Sequence, residues 1–107
     1  MEINQYDIVI VNLNPTIGSE IKKTSPCVVV SPNEMNVYLN TLVIAPMTSQ
    51  SKNYPTRISV NHNNKKGWIV IDQLRTIDKQ RIVKIVDKLK EVEIKKVKNI
   101  IRETFVD

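Results

Sequence analysis

Apolar residues come in short bursts along most of the chain and take up helical spacing only near its C-terminal end. Asp7 to Leu13, rich in Ile and Val, predicts a strand that Asn14-Pro15 stops. Thr16 to Ser25 reads as a loop in which Gly18 is free to take a positive φ. Cys27 to Ser31 predicts a buried strand, because a continuous β-branched run implies apolar contact on both faces. Pro32 to Asn36 suits a short helical turn with the proline near its start. Thr41 to Ala45 predicts another strand, ended by Pro46, and Met47 to Pro55 a polar loop. Arg57 to Val60 and Trp68 to Ile71 read as a hairpin around Asn61 to Gly67. Asp72 to Arg75 leads into a capped turn, Thr76 to Lys79, and Ile82 to Leu89 alternates enough for a strand. Ile94, Val97, Ile101 and Phe105 then recur at helical spacing, with Lys95, Lys98 and Arg102 on the opposite side. Many short strands followed by one amphipathic helix predict a mainly β fold with α: a small barrel of strongly bent antiparallel strands with a helix packed on it.

The length, 107 residues, fits a single domain spanning 1–107. A monomer of this size buries only about two-thirds of its unfolded surface, so a dimer interface would help without being required. Cys27 stands alone, which excludes an intrachain disulfide. With no signal peptide recognised, the expected compartment is a reducing cytoplasm. No apolar run approaches the ~18 residues of a membrane span, so no membrane association is expected. The formal charge of +5 favours an acidic partner such as nucleic acid or an acidic protein segment, although lysine-rich surfaces also arise from base composition alone.

The common enzymatic signatures are missing. With one Cys and one His, a structural zinc set cannot form, and no metal or cofactor is expected. The only glycines, Gly18 and Gly67, make no phosphate-binding loop. His62 falls among asparagines in the expected hairpin turn and reads as a solvated turn residue. What remains is a polar constellation at strand ends: Ser19 and Glu20, then Lys22, Lys23, Thr24 and Ser25, then Thr48, Ser49 and Gln50, then Asp72 and Gln73. Hydroxyls, a carboxylate and lysines so placed can hold a phosphate and its neighbouring 2′-hydroxyl. Taken singly, each is more simply a turn former, a cap or a solvated charge. Trp68, within a strand, reads first as a packing residue. Tyr54, in the polar loop, suits base stacking or plain exposure equally. Arg75 and Arg81 suit holding loops as well as touching a nucleic acid.

Four segments carry a resemblance. Asn14-Pro15-Thr16-Ile17-Gly18-Ser19-Glu20 resembles the loop that opens MazF/PemK toxins. Pro26-Cys27-Val28-Val29-Val30-Ser31-Pro32, followed by Asn36, is similar to the family's second strand and its sequel. Ala45-Pro46-Met47-Thr48-Ser49 resembles the family's "APxTS" segment, and Asp72 to Asp78 with Arg81 its "DQxRTID…R" segment. The four run in order over nearly the whole chain. The resemblance implies an SH3-like antiparallel β-barrel that forms a homodimer. It implies a type II toxin that cleaves single-stranded RNA at short motifs, without metal, by 2′-hydroxyl attack on the adjacent phosphate. It also implies a cognate antitoxin whose acidic C-terminal segment covers the RNA groove, with operator DNA reached only through the toxin–antitoxin complex. Related toxins of this fold that bind DNA gyrase lack the last two segments, which speaks against a protein-directed poison.

The resemblance places the family's catalytic threonine on Thr48 and its loop carboxylate on Glu20. It sets Ser19, Lys22, Lys23, Ser49, Tyr54, Asp72 and Gln73 near the RNA. The family's catalytic arginine immediately precedes the proline of the second strand, and here that position is Ser25. An arginine supplies a fixed charge and a fork matching two phosphate oxygens, whereas serine supplies one neutral hydroxyl. Three accounts of Ser25 stand open. It is a natural change in a toxin that draws on Lys22 or Lys23, or the mark of an inactive homologue that still binds RNA or antitoxin. Or it is a detoxifying substitution made or selected against a poisonous product, an account favoured by the intactness of the other segments.

Overall fold

The computed structural model describes residues 2–13, 23–50, 54–62 and 64–106. Among these, the strands are β1 (Asp7–Asn12), β2 (Thr24–Val29), β3 (Thr41–Thr48), β4 (Arg57–His62), β5 (Lys65–Val70), β6 (Arg75–Asp78) and β7 (Ile82–Lys88). Helix α1 (Asn33–Tyr38) follows β2, and α2 (Glu91–Ile101) follows β7. All strand pairs are antiparallel, in the order β4-β5-β3-β2-β1-β7, with β6 also paired to β3. The sheet curls into a half-barrel. Two register shifts between β1 and β7, at Ile8/Val9 and Ile10/Val11, add local bend.

The central strands are apolar on both faces because both faces are covered. Val9 and Val11 of β1, Cys27 and Val29 of β2, and Leu42 and Ile44 of β3 join Ile77 and Ile82 in one core. Ile8, Val28 and Ala45 turn the other way, to a second core with Ile58, Val60, Ile69 and Val97. The unbroken run Cys27-Val28-Val29 is thus shared between two cores, as expected from its composition. Helix α2 closes the second core: Val97 is fully buried, with Ile94, Ile100 and Ile101 packed beside it. Lys95, Lys98 and Arg102 face solvent. Phe105 does not continue the apolar stripe. The helix ends at Ile101 and a wider π-type turn, Arg102–Val106, leaves Phe105 exposed.

Four boundaries depart from expectation. Strand β2 begins at Thr24, so Ser25 lies in a strand and pairs with Val11. Strand β3 continues through Pro46 to Thr48. Its first half pairs β6 over Thr41 to Ile44 and its last residues pair β5 at Met47 and Thr48. Pro46 sits where that edge changes partner, a place where a missing donor is tolerated. The hairpin is longer than expected. Strands β4 and β5 run to His62 and from Lys65, and Asn64 takes a φ of 61°, which asparagine accepts more readily than most residues. The segment expected as a capped turn forms β6, and Asp78 caps the following 3₁₀ turn by accepting from the Gln80 N–H.

A buried polar knot sets the approach to β3. The Ser31 hydroxyl donates to Asn36 Oδ1 at 2.6 Å and accepts from the Val43 N–H at 3.0 Å. The Asn36 amide donates to the Ser31 carbonyl at 2.9 Å. Two buried side chains thereby hold the end of β2, helix α1 and β3 together, with their own polar groups satisfied.

Candidate active-site groove

Strands β4 and β7 are the outer strands of the sheet, and curling brings their ends together around a groove of about 600 Å³. Part of its lining is a register row: Pro26 of β2 stands opposite Ile10 of β1, which stands opposite Lys84 of β7. Met47, Thr48 and Ser49 enter from the end of β3, Val60 and His62 from β4, and Lys65 to Gly67 from β5. Gly67 of β5 lies beside the Thr48 carbonyl, which a Cβ there would meet at an ordinary contact distance of 3.4 Å.

Thr48 and Ser25, which the sequence places 23 positions apart, line this one groove. Thr48 ends β3 opposite Trp68. Its hydroxyl donates to the Gln50 carbonyl at 3.0 Å and accepts from the Gln50 N–H at 3.2 Å, a local turn that sets where the oxygen points. Ser25 is half-buried, and its hydroxyl reaches only its neighbour's carbonyl, Pro26 O, at 3.5 Å. That contact is long and weak. Ser49 is exposed at the groove's edge. Lys23 is exposed just before β2, where its carbonyl accepts from the Leu13 N–H at 2.8 Å. Ser19, Glu20 and Lys22 lie outside the described residues.

Tyr54, Asp72 and Gln73 do not line the groove. Asp72 accepts from the Thr56 hydroxyl at 2.8 Å and stands 3.8 Å from Arg57 Nε. The Arg57 guanidinium lies over the Tyr54 ring, 5.1 Å from its centroid. These side chains form a separate cluster, and Gln73 is exposed beside it in the 3₁₀ turn Ile71–Gln73. Arg81 ties the start of β7 to β1, donating to the Asn12 carbonyl at 3.3 Å.

Four polar side chains that the sequence pattern does not mark also line the groove: Lys65, Lys66, Lys84 and His62. His62 is a strand end and not a solvated turn residue. Its Nδ1 stands 2.7 Å from Asp87 Oδ2 on β7, with 21% of the side chain exposed. A signal was present, since strand period two puts His62 on the face of Val60 and Ile58, both buried. The lysines bring three ammonium groups to the groove, and Lys66 lies over the Trp68 ring at 5.2 Å. Trp68 is half-buried in β5. The Asp87 carboxyl is held below the ordinary aspartate range, first by the Lys88 backbone N–H and then by His62. Cys27 is a buried apolar-strand thiol, as expected. Burial pushes it up to about 11, with the nearby Arg75 charge partly opposing.

A family model described as PemK-like, MazF-like toxin of type II toxin–antitoxin system matches residues 4–105. The chain is 28% identical over 101 residues to Endoribonuclease MazF of Staphylococcus saprophyticus, covering 89% of this chain and 84% of that one. It is 34% identical over 71 residues to Endoribonuclease toxin MazF of Escherichia coli strain K12, covering 66% of this chain and 64% of that one. Among solved structures, an endoribonuclease from a mycobacterial species, in complex with its cognate antitoxin, superimposes with a TM-score of 0.81 at 15% identity. That match covers 94% of this chain and 92% of the other. The MazE–MazF complex of Deinococcus radiodurans gives 0.80 at 22% identity, over 96% and 95% of the two chains. These structures share the curled antiparallel half-barrel and its C-terminal helix. By the extent of these matches, the chain belongs to the PemK-like, MazF-like toxins of type II toxin–antitoxin systems.

Proposed function

We propose that this chain is a toxin endoribonuclease that cuts single-stranded RNA through attack of a 2′-hydroxyl on the adjacent phosphate. The observation that carries the reading is the meeting of Thr48 and Ser25 in one groove with Lys65, Lys66 and Lys84. The three ammonium groups attract and seat the phosphate backbone. The Thr48 hydroxyl contacts the scissile phosphate, and Ser49 and Lys23 contact the strand beside it. Ser19, Glu20 and Lys22, which lie outside the described residues, keep the roles that the family resemblance gives them: Glu20 in cleavage, Ser19 and Lys22 in binding RNA. Ser25 occupies the place where a guanidinium would stabilise the charge developing on the phosphoryl oxygens, and its neutral hydroxyl makes this a slow enzyme. A second reading follows from the same residue: a groove that binds RNA or antitoxin without cutting.

The chain acts as one domain and assembles as a homodimer. Support for assembly comes from Val37, Tyr38 and Leu39, apolar side chains exposed together at the end of α1. Its antitoxin lays an acidic segment along the lysine-lined groove, in competition with RNA, and operator DNA is reached only through that complex. The chain's place of action in this reading is the cytoplasm. No described helix is long and apolar enough to cross a membrane.

Cleavage needs no metal in this reading. The test is cleavage of single-stranded RNA in EDTA, with the new 5′ end identified. The expected products carry a 5′-hydroxyl, and Thr48→Ala abolishes their formation in a folded protein. Activity lost on chelation and restored by magnesium overturns the mechanism.

A further inference from the structure

The single imidazole of this chain belongs to the groove. His62 ends β4 and Asp87 stands on β7, so their 2.7 Å contact joins the two outer strands of the sheet. It also fixes the ring. An ionised carboxylate only accepts, so Nδ1 carries the proton and the lone pair of the neutral ring lies on Nε2. Asp87 of β7 contacts this ring, and Lys65, in register with His62 on β5, Lys66 and Lys84 line the same groove, while Lys90 lies near enough to act on the Asp87 carboxylate.

We propose that His62, oriented by Asp87, is the catalytic base that takes the 2′-hydroxyl proton when this chain cleaves RNA. The inference rests on the nuclease reading above. The O2′–P bond forms as Nε2 takes the proton from O2′, and the P–O5′ bond breaks. The departing O5′ takes a proton from water, leaving a 2′,3′-cyclic phosphate and a 5′-hydroxyl. The imidazolium returns its proton to solvent. The ammonium groups of Lys65, Lys66 and Lys84 carry the phosphate charge that Ser25 cannot. Asp87 is a positioning residue: it holds the ring and offsets the charge the ring acquires.

The competing account is mechanical, with His62 and Asp87 as a clasp between strand edges. Timing the cleavage of a fluorogenic single-stranded RNA across pH separates the two. Where the parent chain is too slow to time, the same variants are made on Ser25→Arg. His62→Gln keeps an amide donor for Asp87 and thus keeps the clasp. It should lower kcat by about 10²-fold or more, with little change in KM. It should also change the dependence of the rate on pH. Asp87→Asn should lower kcat less than the loss of the imidazole does. Free imidazole should restore part of the activity of His62→Gly. The inference is overturned if His62→Gln keeps kcat and the pH profile. It is equally overturned if activity falls only in step with thermal stability and imidazole restores none. Cleavage that depends on Thr48 but not His62 overturns this inference and leaves the nuclease reading standing. A folded chain that cuts no RNA with either Ser25 or arginine there overturns both.

Discussion

Two polar clusters sit on this half-barrel, and their charge balance differs. Around Arg57 the groups answer one another: Asp72 takes the Thr56 hydroxyl and faces the guanidinium, which in turn covers Tyr54. In the groove, Lys65, Lys66 and Lys84 bring three positive groups, and the Asp87 carboxylate, which does not line it, is engaged by His62. A cluster that neutralises itself holds a loop. A cluster with surplus charge of one sign keeps its field for a ligand of the other sign. Sequence alone does not separate them, because both are made of ordinary charged residues near strand ends.

The strongest way to sharpen the contrast is to add charge where the groove lacks it. Ser25→Arg should raise the RNA cleavage rate by about 10²-fold or more, the usual scale for a donor aimed at developing charge. Binding of an uncleavable RNA should tighten by only ~1–3 kcal/mol. In cells, the variant should arrest growth unless an antitoxin is supplied. A folded, dimeric Ser25→Arg protein that neither cuts RNA nor slows growth would replace the enzyme by the binding protein.

A smaller effect is expected from removing a cation of the groove. Lys84→Gln should weaken RNA binding at low salt and reduce the salt slope by about 0.7, the contribution of one phosphate contact on a single strand. An unchanged slope in a filter-binding titration would take Lys84 off the RNA path. The smallest effect belongs to the other cluster. Thr56→Val removes one hydrogen bond to Asp72 and should cost roughly 0.5–1 kcal/mol in denaturant unfolding, with RNA cleavage unchanged. A cleavage defect without a stability change would show that the Arg57 cluster also serves the reaction.

The difference in legibility between fold and site has physical causes. The run Cys27-Val28-Val29 announces a strand buried on both faces, and Val97 with Ile94 and Ile101 announces the closing helix. Each signal is local, because burial follows side-chain period. Pro46 misleads, because the partner change along β3 that makes room for it is a tertiary fact. His62 misleads for a similar reason. Turn residues extend from Asn61 to Gly67, and only pairing shows that the strands continue to His62 and from Lys65. Lys84 becomes a groove residue only when β7 meets β1. Family resemblance marks Thr48 and Ser25, and their meeting in one groove is a property of the curled sheet.

Cys27 gives the molecule an internal clock. Its thiol is fully buried two residues from Ser25 and held near 11, so thiolate is scarce and reagent has no path to it while β2 stays paired. Alkylation must therefore wait for the strand to part from β1 or β3, and its rate counts those openings. Because the same strand carries Ser25, antitoxin or RNA that steadies the groove should slow the clock. Occupancy of the groove can then be read from a mass shift on one sulfur, in a protein whose own chemistry need not be running.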